Sequence, residues 1–336
     1  MIVDAFNHIL PAPFLDRLQR EAPNAPGVGV LPRIRTLWDL DAHLRLMDVF
    51  ASEGYRQILT LCNPPIEFLG PPDKTPDWAR FANDLLADIC RRHPDKFPSF
   101  AAALPMNNPD AAVIEAERAL RDLGACGLEV YTNVLGRPIS APEFIPIFET
   151  AARHDLPVWI HPMRGPTTPD FAGEPESVAE IWFTFGWPYE TSAAVTRLIY
   201  AGIYDRLPGL KIITHHGGGM IPFFSGKVDL GTQQIMLGTL ENNPLKAQFG
   251  LAREPAEYYR LLYADTATIG VAHAVACSHA FFGTSNMVFA TDAPFDPTGG
   301  SWVIRKTIDA VKALTIGETE RQQILAGNIM RLTRLA

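Results

Sequence analysis

Cysteine is scarce and scattered. The four present, Cys62, Cys90, Cys126 and Cys277, form no C-x-x-C pair and lie too far apart for a disulfide framework. They read as reduced core residues, because free cysteine behaves as a small buried hydrophobe. Long apolar runs are missing too. No stretch reaches the roughly 18 to 20 residues that span a bilayer. The opening Met1-Ile2-Val3-Asp4 carries neither a basic n-region nor an apolar h-region, so the expected location is the cytoplasm, with no membrane partner. Clustered positive charge is the third absence. Net charge is −8, and no group of Lys and Arg interleaved with aromatics could track a phosphate backbone, which sets nucleic acid aside. What remains is 47% hydrophobic and 20% charged residues over 336 positions, a soluble globular enzyme's balance with ample core. No composition shift, charge run or repeat divides the chain, and we read 1–336 as a single domain.

Apolar runs of strand length recur along the chain, with helical patterns between them. The strand candidates are Ile2 to Phe6, Gln57 to Leu61, Ser99 to Ala103, Gly127 to Tyr131, Pro157 to Ile160, Leu210 to Thr214, Leu261 to Ala264, and Met287 to Ala290. Strands this apolar have no wet face, and regular βα alternation predicts a parallel sheet covered by helices. Eight such units predict an α/β fold closed as a (β/α)8 TIM barrel. The open doubly wound alternative lacks its glycine fingerprint after the first strand. Thr36 and Asp39 form a capping-box pattern before the helix near Leu40. Two Pro- and Gly-rich stretches, Leu10 to Arg35 and Met163 to Pro188, exceed ordinary βα turns and predict long loops after strands one and five, lids or binding loops.

Several of these runs end in metal-capable side chains. Phe6-Asn7-His8, Trp159-Ile160-His161, Ile213-Thr214-His215-His216 and Ala290-Thr291-Asp292 all stop at a predicted C-terminal strand end, the rim where barrel enzymes place their chemistry. Singly, each has a plainer reading: a histidine satisfied within the core, or an aspartate capping a helix. Jointly they describe a metal site, since neutral imidazole and carboxylate suit Zn²⁺ or Mn²⁺, and three protein ligands leave an open catalytic position. His43, His93, His154, His273 and His279 fall in or just after helices and read as surface or packing residues.

The chain resembles the decarboxylase-like branch of the amidohydrolase superfamily, the group with aminocarboxymuconate semialdehyde decarboxylase and resorcylate decarboxylase. The resemblance rests on Asp4-Ala5-Phe6-Asn7-His8-Ile9-Leu10-Pro11, Leu156-Pro157-Val158-Trp159-Ile160-His161-Pro162, Trp187-Pro188-Tyr189-Glu190-Thr191, Ile213-Thr214-His215-His216-Gly217-Gly218-Gly219 and Ala290-Thr291-Asp292-Ala293-Pro294-Phe295, and on the ending Ile324 to Leu332. It implies that His8, His161 and Asp292 hold a divalent metal, Zn or Mn, and that His216, directly before the glycines, is the catalytic histidine, with His215 facing away to pack. A homodimer is also implied. The departure is Phe6. The family has His-x-His on strand one, although related decarboxylases carry Glu or Ala at the first position.

Phe6 therefore reads either as an apolar wall against an aromatic or unsaturated substrate, or as the mark of a binding protein that has lost its metal; a metal-free enzyme is a third possibility. Glu129 reads as an outward or structural residue, or as a replacement ligand. Asp265 is an acid candidate, an orienter of a metal-bound histidine, or a helix cap. Arg164 would grip a substrate carboxylate or stand solvated, and Trp182, Phe183, Phe185 and Trp187 would line a pocket or pack. The expected activity is metal-dependent, non-oxidative decarboxylation of an aromatic or muconate-like carboxylic acid, with Asp292 and His216 handling the proton. Hydrolysis of a lactone or amide, or hydration, by the same parts is the alternative.

Overall fold

The computed structural model describes residues 1–236 and 251–335. Eight parallel strands form one sheet in chain order: β1 (Ile2–Ile9), β2 (Tyr55–Leu61), β3 (Ser99–Ala103), β4 (Gly127–Tyr131), β5 (Val158–His161), β6 (Ile212–Thr214), β7 (Tyr263–Asp265) and β8 (Met287–Val288). Helices lie between them, as in a (β/α)8 TIM barrel. The barrel closes through single bonds rather than a ladder. Ala5 N–H donates to Phe289 O at 2.8 Å, His8 N–H to Ala293 O at 2.8 Å and Asp292 N–H to Phe6 O at 3.1 Å.

The interior is a packed core of Val3, Ala5, Phe6, Ile58, Ala101, Trp159 and Ile213. Ala5 and Phe6 both belong to it because β1 carries one extra residue against β2 between Asp4 and Asn7, a bulge that turns consecutive side chains inward. Trp159 fills the middle, its Nε1–H donating to Ala5 O at 2.8 Å. Opposite it Gly127 is obligatory, since a Cβ there would lie 2.3 Å from the Trp159 ring.

Three expectations are corrected here. The stretch Leu10 to Arg35 is not a structureless insertion, because it holds a ten-residue helix, Ala12–Glu21, whose Phe14, Leu15 and Leu18 are buried. Asp39 alone caps the helix Leu40–Asp48, accepting from Ala42 N–H at 3.1 Å, while the Thr36 hydroxyl is buried without a partner. The last strand ends at Val288, so Asp292 sits four residues beyond it in a left-handed turn (φ 61°). There Phe6 O takes the N–H groups of both Thr291 and Asp292. Among the described residues no helix is long and apolar enough to cross a membrane, and all four cysteines are free.

Candidate active site

Two overlapping groups of metal-capable atoms stand at the C-terminal rim among the described residues. His8, His161 and His215 form one; His215, His216 and Asp292 form the other, and within each the ligand atoms lie no more than 4.8 Å apart. His8, His161, His215 and Asp292 are buried, while His216 keeps 14% of its side chain exposed.

Each of the three buried histidines has its Nδ1 committed. His161 Nδ1 donates to Pro162 O at 2.7 Å. Asp265 Oδ2 takes His215 Nδ1 at 2.5 Å. His8 Nδ1 faces Thr60 Oγ1 at 3.3 Å, and that hydroxyl spends its own proton on Asn7 O. With Nδ1 protonated, a neutral ring presents the Nε2 lone pair. Nε2 of His8 is buried without a hydrogen-bond partner and lies 3.1 Å from Asp292 Oδ1. A lone pair and a carboxylate oxygen repel at that distance unless a proton or cation lies between them. His8 and Asp292, with the neutral His161 beside them, therefore fit a divalent metal by donor type.

Electrostatics agree for His8, His161 and Asp292. Burial pushes His8 below the ordinary imidazole value. Burial and the charge of His215 push His161 well below it and also lower His216. His215 goes the other way: burial opposes its charge, but the Asp265 carboxylate and bonds to Asp265 and Asp292 overcome it and raise the ring to about 10. Asp292, despite burial, is held well below the carboxylate range by the His215, His216 and His8 rings gathered around it.

His8, His161, His216 and Asp292 thus come together around His215, which Asp265 orients. His215 does not face away: it stands in the centre, and both histidines after β6 turn toward Asp292, with His216 Nε2 at 3.4 Å from Oδ2. The glycines permit this. His216, Gly217, Gly218 and Gly219 all have positive φ, and a Cβ on Gly218 would lie 2.6 Å from the Phe282 ring.

Phe6 is fully enclosed. Its ring lies 4.0 Å from that of His215, 5.6 Å from His8 and 5.7 Å from His161, so it floors the histidines and exposes no wall to the mouth. Above them stand three aromatics. Trp187 lies 5.4 Å from His161 and stacks on His216 at 6.0 Å, Tyr131 lies 5.1 Å from His161, and Phe295 lies 5.5 Å from His8. Trp182 and Phe183 pack behind Trp187, and Phe185 is exposed. Tyr131, Phe295 and Thr60 were missed as site residues; for Tyr131 and Phe295 the signal was an aromatic at or just beyond a strand end.

Arg164 does not stand free. Nη1 pairs with Glu190 at 3.2 Å and Nη2 donates to Pro169 O at 3.1 Å, on the wall of a cleft of about 910 Å³ that none of the clustered histidines lines. Glu129 points inward, on the same strand face as Gly127. It is buried, with Oε2 accepting from Leu61 N–H at 3.1 Å and Oε1 unpartnered, and burial raises it to about 8. Since the unfolded carboxyl titrates near 4.5, the folded chain alone holds this proton between those values, and stability falls as pH rises through that window. Glu129→Gln keeps an acceptor for Leu61 and removes the effect. Its Tm, by differential scanning calorimetry, should match wild type near pH 5 and exceed it by several degrees at pH 8, from a gain of a few kcal/mol at about 2–4 °C each; equal Tm at pH 8 would show that no proton is held there.

Comparison with known proteins points one way. A family model described as amidohydrolase matches residues 38–335. The gamma-resorcylate decarboxylase of Rhizobium radiobacter is 30% identical over 334 residues, 95% of each chain. The 2-amino-3-carboxymuconate-6-semialdehyde decarboxylase of Dictyostelium discoideum is 26% identical over 300 residues, 89% of this chain and 77% of that one. The structure of a 2,6-dihydroxybenzoate decarboxylase complexed with 2,6-dihydroxybenzoate superposes with a TM-score of 0.77 at 25% identity, covering 99% and 98% of the two chains.

Proposed function

Because the chain belongs to the amidohydrolase family, in its decarboxylase-like branch, we propose that it releases CO₂ from an aromatic carboxylic acid without oxidation, using a divalent metal. The observation that carries this reading is the convergence of His8 Nε2 and Asp292 Oδ1, two acceptors 3.1 Å apart with no donor between them. His8, His161 and Asp292 would hold the metal, Zn²⁺ or Mn²⁺ by donor type. Bound there, it would supply Lewis acidity toward the substrate's carboxylate and a neighbouring oxygen. Trp187, Tyr131 and Phe295 offer flat apolar faces at the mouth, which suits a planar ring.

The chain's own groups supply the proton. His215, held as imidazolium by Asp265, donates to the ring carbon bearing the carboxylate; the C–C bond to the carboxylate then breaks, CO₂ leaves, and the bond's electrons restore the ring. Solvent returns the proton to His215. His216, stacked on Trp187 and partly exposed, would bind the substrate's carboxylate and pass protons inward. The aromatics would exclude bulk water from the ring carbon that takes the proton.

The test is product chemistry. Purified protein supplied with Mn²⁺ or Zn²⁺ should release CO₂ from hydroxybenzoates, measured manometrically, and leave lactones untouched. Acid release from lactones without CO₂ would replace this reading by hydrolysis.

A further inference from the structure

Four residues before His8, Asp4 is fully buried, and its hydrogen-bond donors among the described residues are all neutral. Oδ1 accepts the N–H groups of Phe6 at 3.3 Å and Thr291 at 3.2 Å. Oδ2 is hydrogen-bonded to the hydroxyls of Tyr55 and Thr291, both at 2.5 Å. A carboxylate taken out of water is costly unless such donors surround it, so these four bonds are a tight mutual constraint. Their focus is Thr291, gripped through both backbone and side chain.

Thr291 matters because of its neighbour. Asp292 has φ 61°, a left-handed conformation that costs a non-glycine residue about 1 kcal/mol or more and persists only when its surroundings impose it. Thr291 imposes it from both sides: its N–H is clamped by Asp4 and Phe6 O, and its Oγ1 also accepts Ala293 N–H at 3.2 Å. The backbone on each side of Asp292 is thereby tied to β1, the strand that carries His8.

The clamp has an outer anchor. Tyr55 Oη receives Gln57 Nε2 at 3.1 Å, Gln57 Oε1 faces His43 Nε2 at 2.6 Å, and His43 Nδ1 faces Thr36 O at 2.8 Å. Thr36 O can only accept, so His43 Nδ1 carries hydrogen. Donor counting then leaves two complete arrangements. In one, His43 is imidazolium, Gln57 Oε1 accepts from it, and Asp4 is ionised. In the other, Gln57 turns its amide over to donate to His43 Nε2, Tyr55 donates to Gln57, and Asp4 carries the proton and donates to Tyr55. Every link is made in both, and they differ by the position of one proton. Burial, raising Asp4 to about 7 and lowering His43, favours the second.

We propose that Asp4 is a positioning residue for Asp292, acting through Thr291 and anchored through Tyr55 and Gln57 to His43. The consequence for metal binding rests on the metal site proposed above; the consequence for the position of Asp292 does not. The decisive pair is Thr291→Val, which keeps size and deletes the hydroxyl, against Thr291→Ser, which restores it. In crystals of Thr291→Val and Asp4→Asn the Asp292 carboxylate should move off His8. Mn²⁺ affinity of the full-length protein, measured by competition with a fluorescent chelator, should fall about 10- to 100-fold, the usual effect of losing a group that orients a ligand. In steady-state kinetics kcat should fall with KM little changed, and Thr291→Ser should recover all three readouts. Tyr55→Phe, which severs the chain to His43, should give an intermediate loss; wild-type values there would remove His43 from the proposal. A folded Thr291→Val that keeps both the His8–Asp292 separation and Mn²⁺ affinity within twofold of wild type would overturn it. If Asp4→Asn does not fold, the Thr291 pair decides. If the wild type binds neither Mn²⁺ nor Zn²⁺, the metal reading falls and the crystallographic separation still decides this one.

Discussion

Asp292→Asn lowers kcat/KM by about 10³-fold or more while the protein stays folded. The substitution keeps shape and removes charge at the point where three histidines converge: His8 and His215 on Oδ1, His216 on Oδ2. A ligand that contributes several kcal/mol of transition-state stabilisation corresponds to about three decades in rate. Stability moves differently. Asp292 titrates well below its ordinary value, so its ionised form contributes stability that is present above the unfolded carboxyl value and lost as pH falls through the folded one. Asparagine removes that contribution, yet its amide donates to His8 Nε2, now an unpartnered acceptor, so the two changes oppose each other at neutral pH. Circular dichroism and calorimetry beside the kinetics separate the effects. A folded variant turning over within tenfold of wild type would refute the assigned site.

Chelation abolishes activity, and Mn²⁺ or Zn²⁺ restores it. Dialysis against a strong chelator should reduce turnover by about 100-fold or more, and adding metal should raise Tm, since a ligand bound only by the folded state at about 1,000 times its Kd stabilises by about 4 kcal/mol. The stoichiometry by elemental analysis should approach one ion per chain. This result also decides the meaning of Phe6. Its ring lies under His215 and cannot ligate, so the shell must be completed by side chains from β1, β5 and the turn after β8. Unrestored activity with substoichiometric metal would favour a protein that has lost its metal through this residue.

Much of the site was legible in the chain because it is built where strands end. His8, His161 and Asp292 terminate apolar runs, and a barrel collects its strand ends at one rim whatever the packing details. Asp265 was legible for the same reason, although its partner was not. What could not be read was direction. His215 and His216 are adjacent, and alternation would send one inward and one outward; left-handed backbone from His216 through Gly219 turns both in. Glu129 needed Gly127 and Trp159 as markers of the inner face. Arg164 is committed to Glu190, a residue 26 positions away on another element. The bulge that brings both Ala5 and Phe6 into the core breaks the period of two on which any reading of that strand depends.

By itself, then, the sequence determined the eight-unit barrel and the types of side chain at its rim, because hydrophobic periodicity and strand termination are local properties. Tertiary structure alone decided which lone pairs converge on Asp292, which aromatics roof them, and that Asp4 holds the turn from below. Those outcomes depend on contacts spanning up to 287 positions, as between Asp4 and Thr291. No local pattern records such contacts, because they form only when the last strand closes against the first.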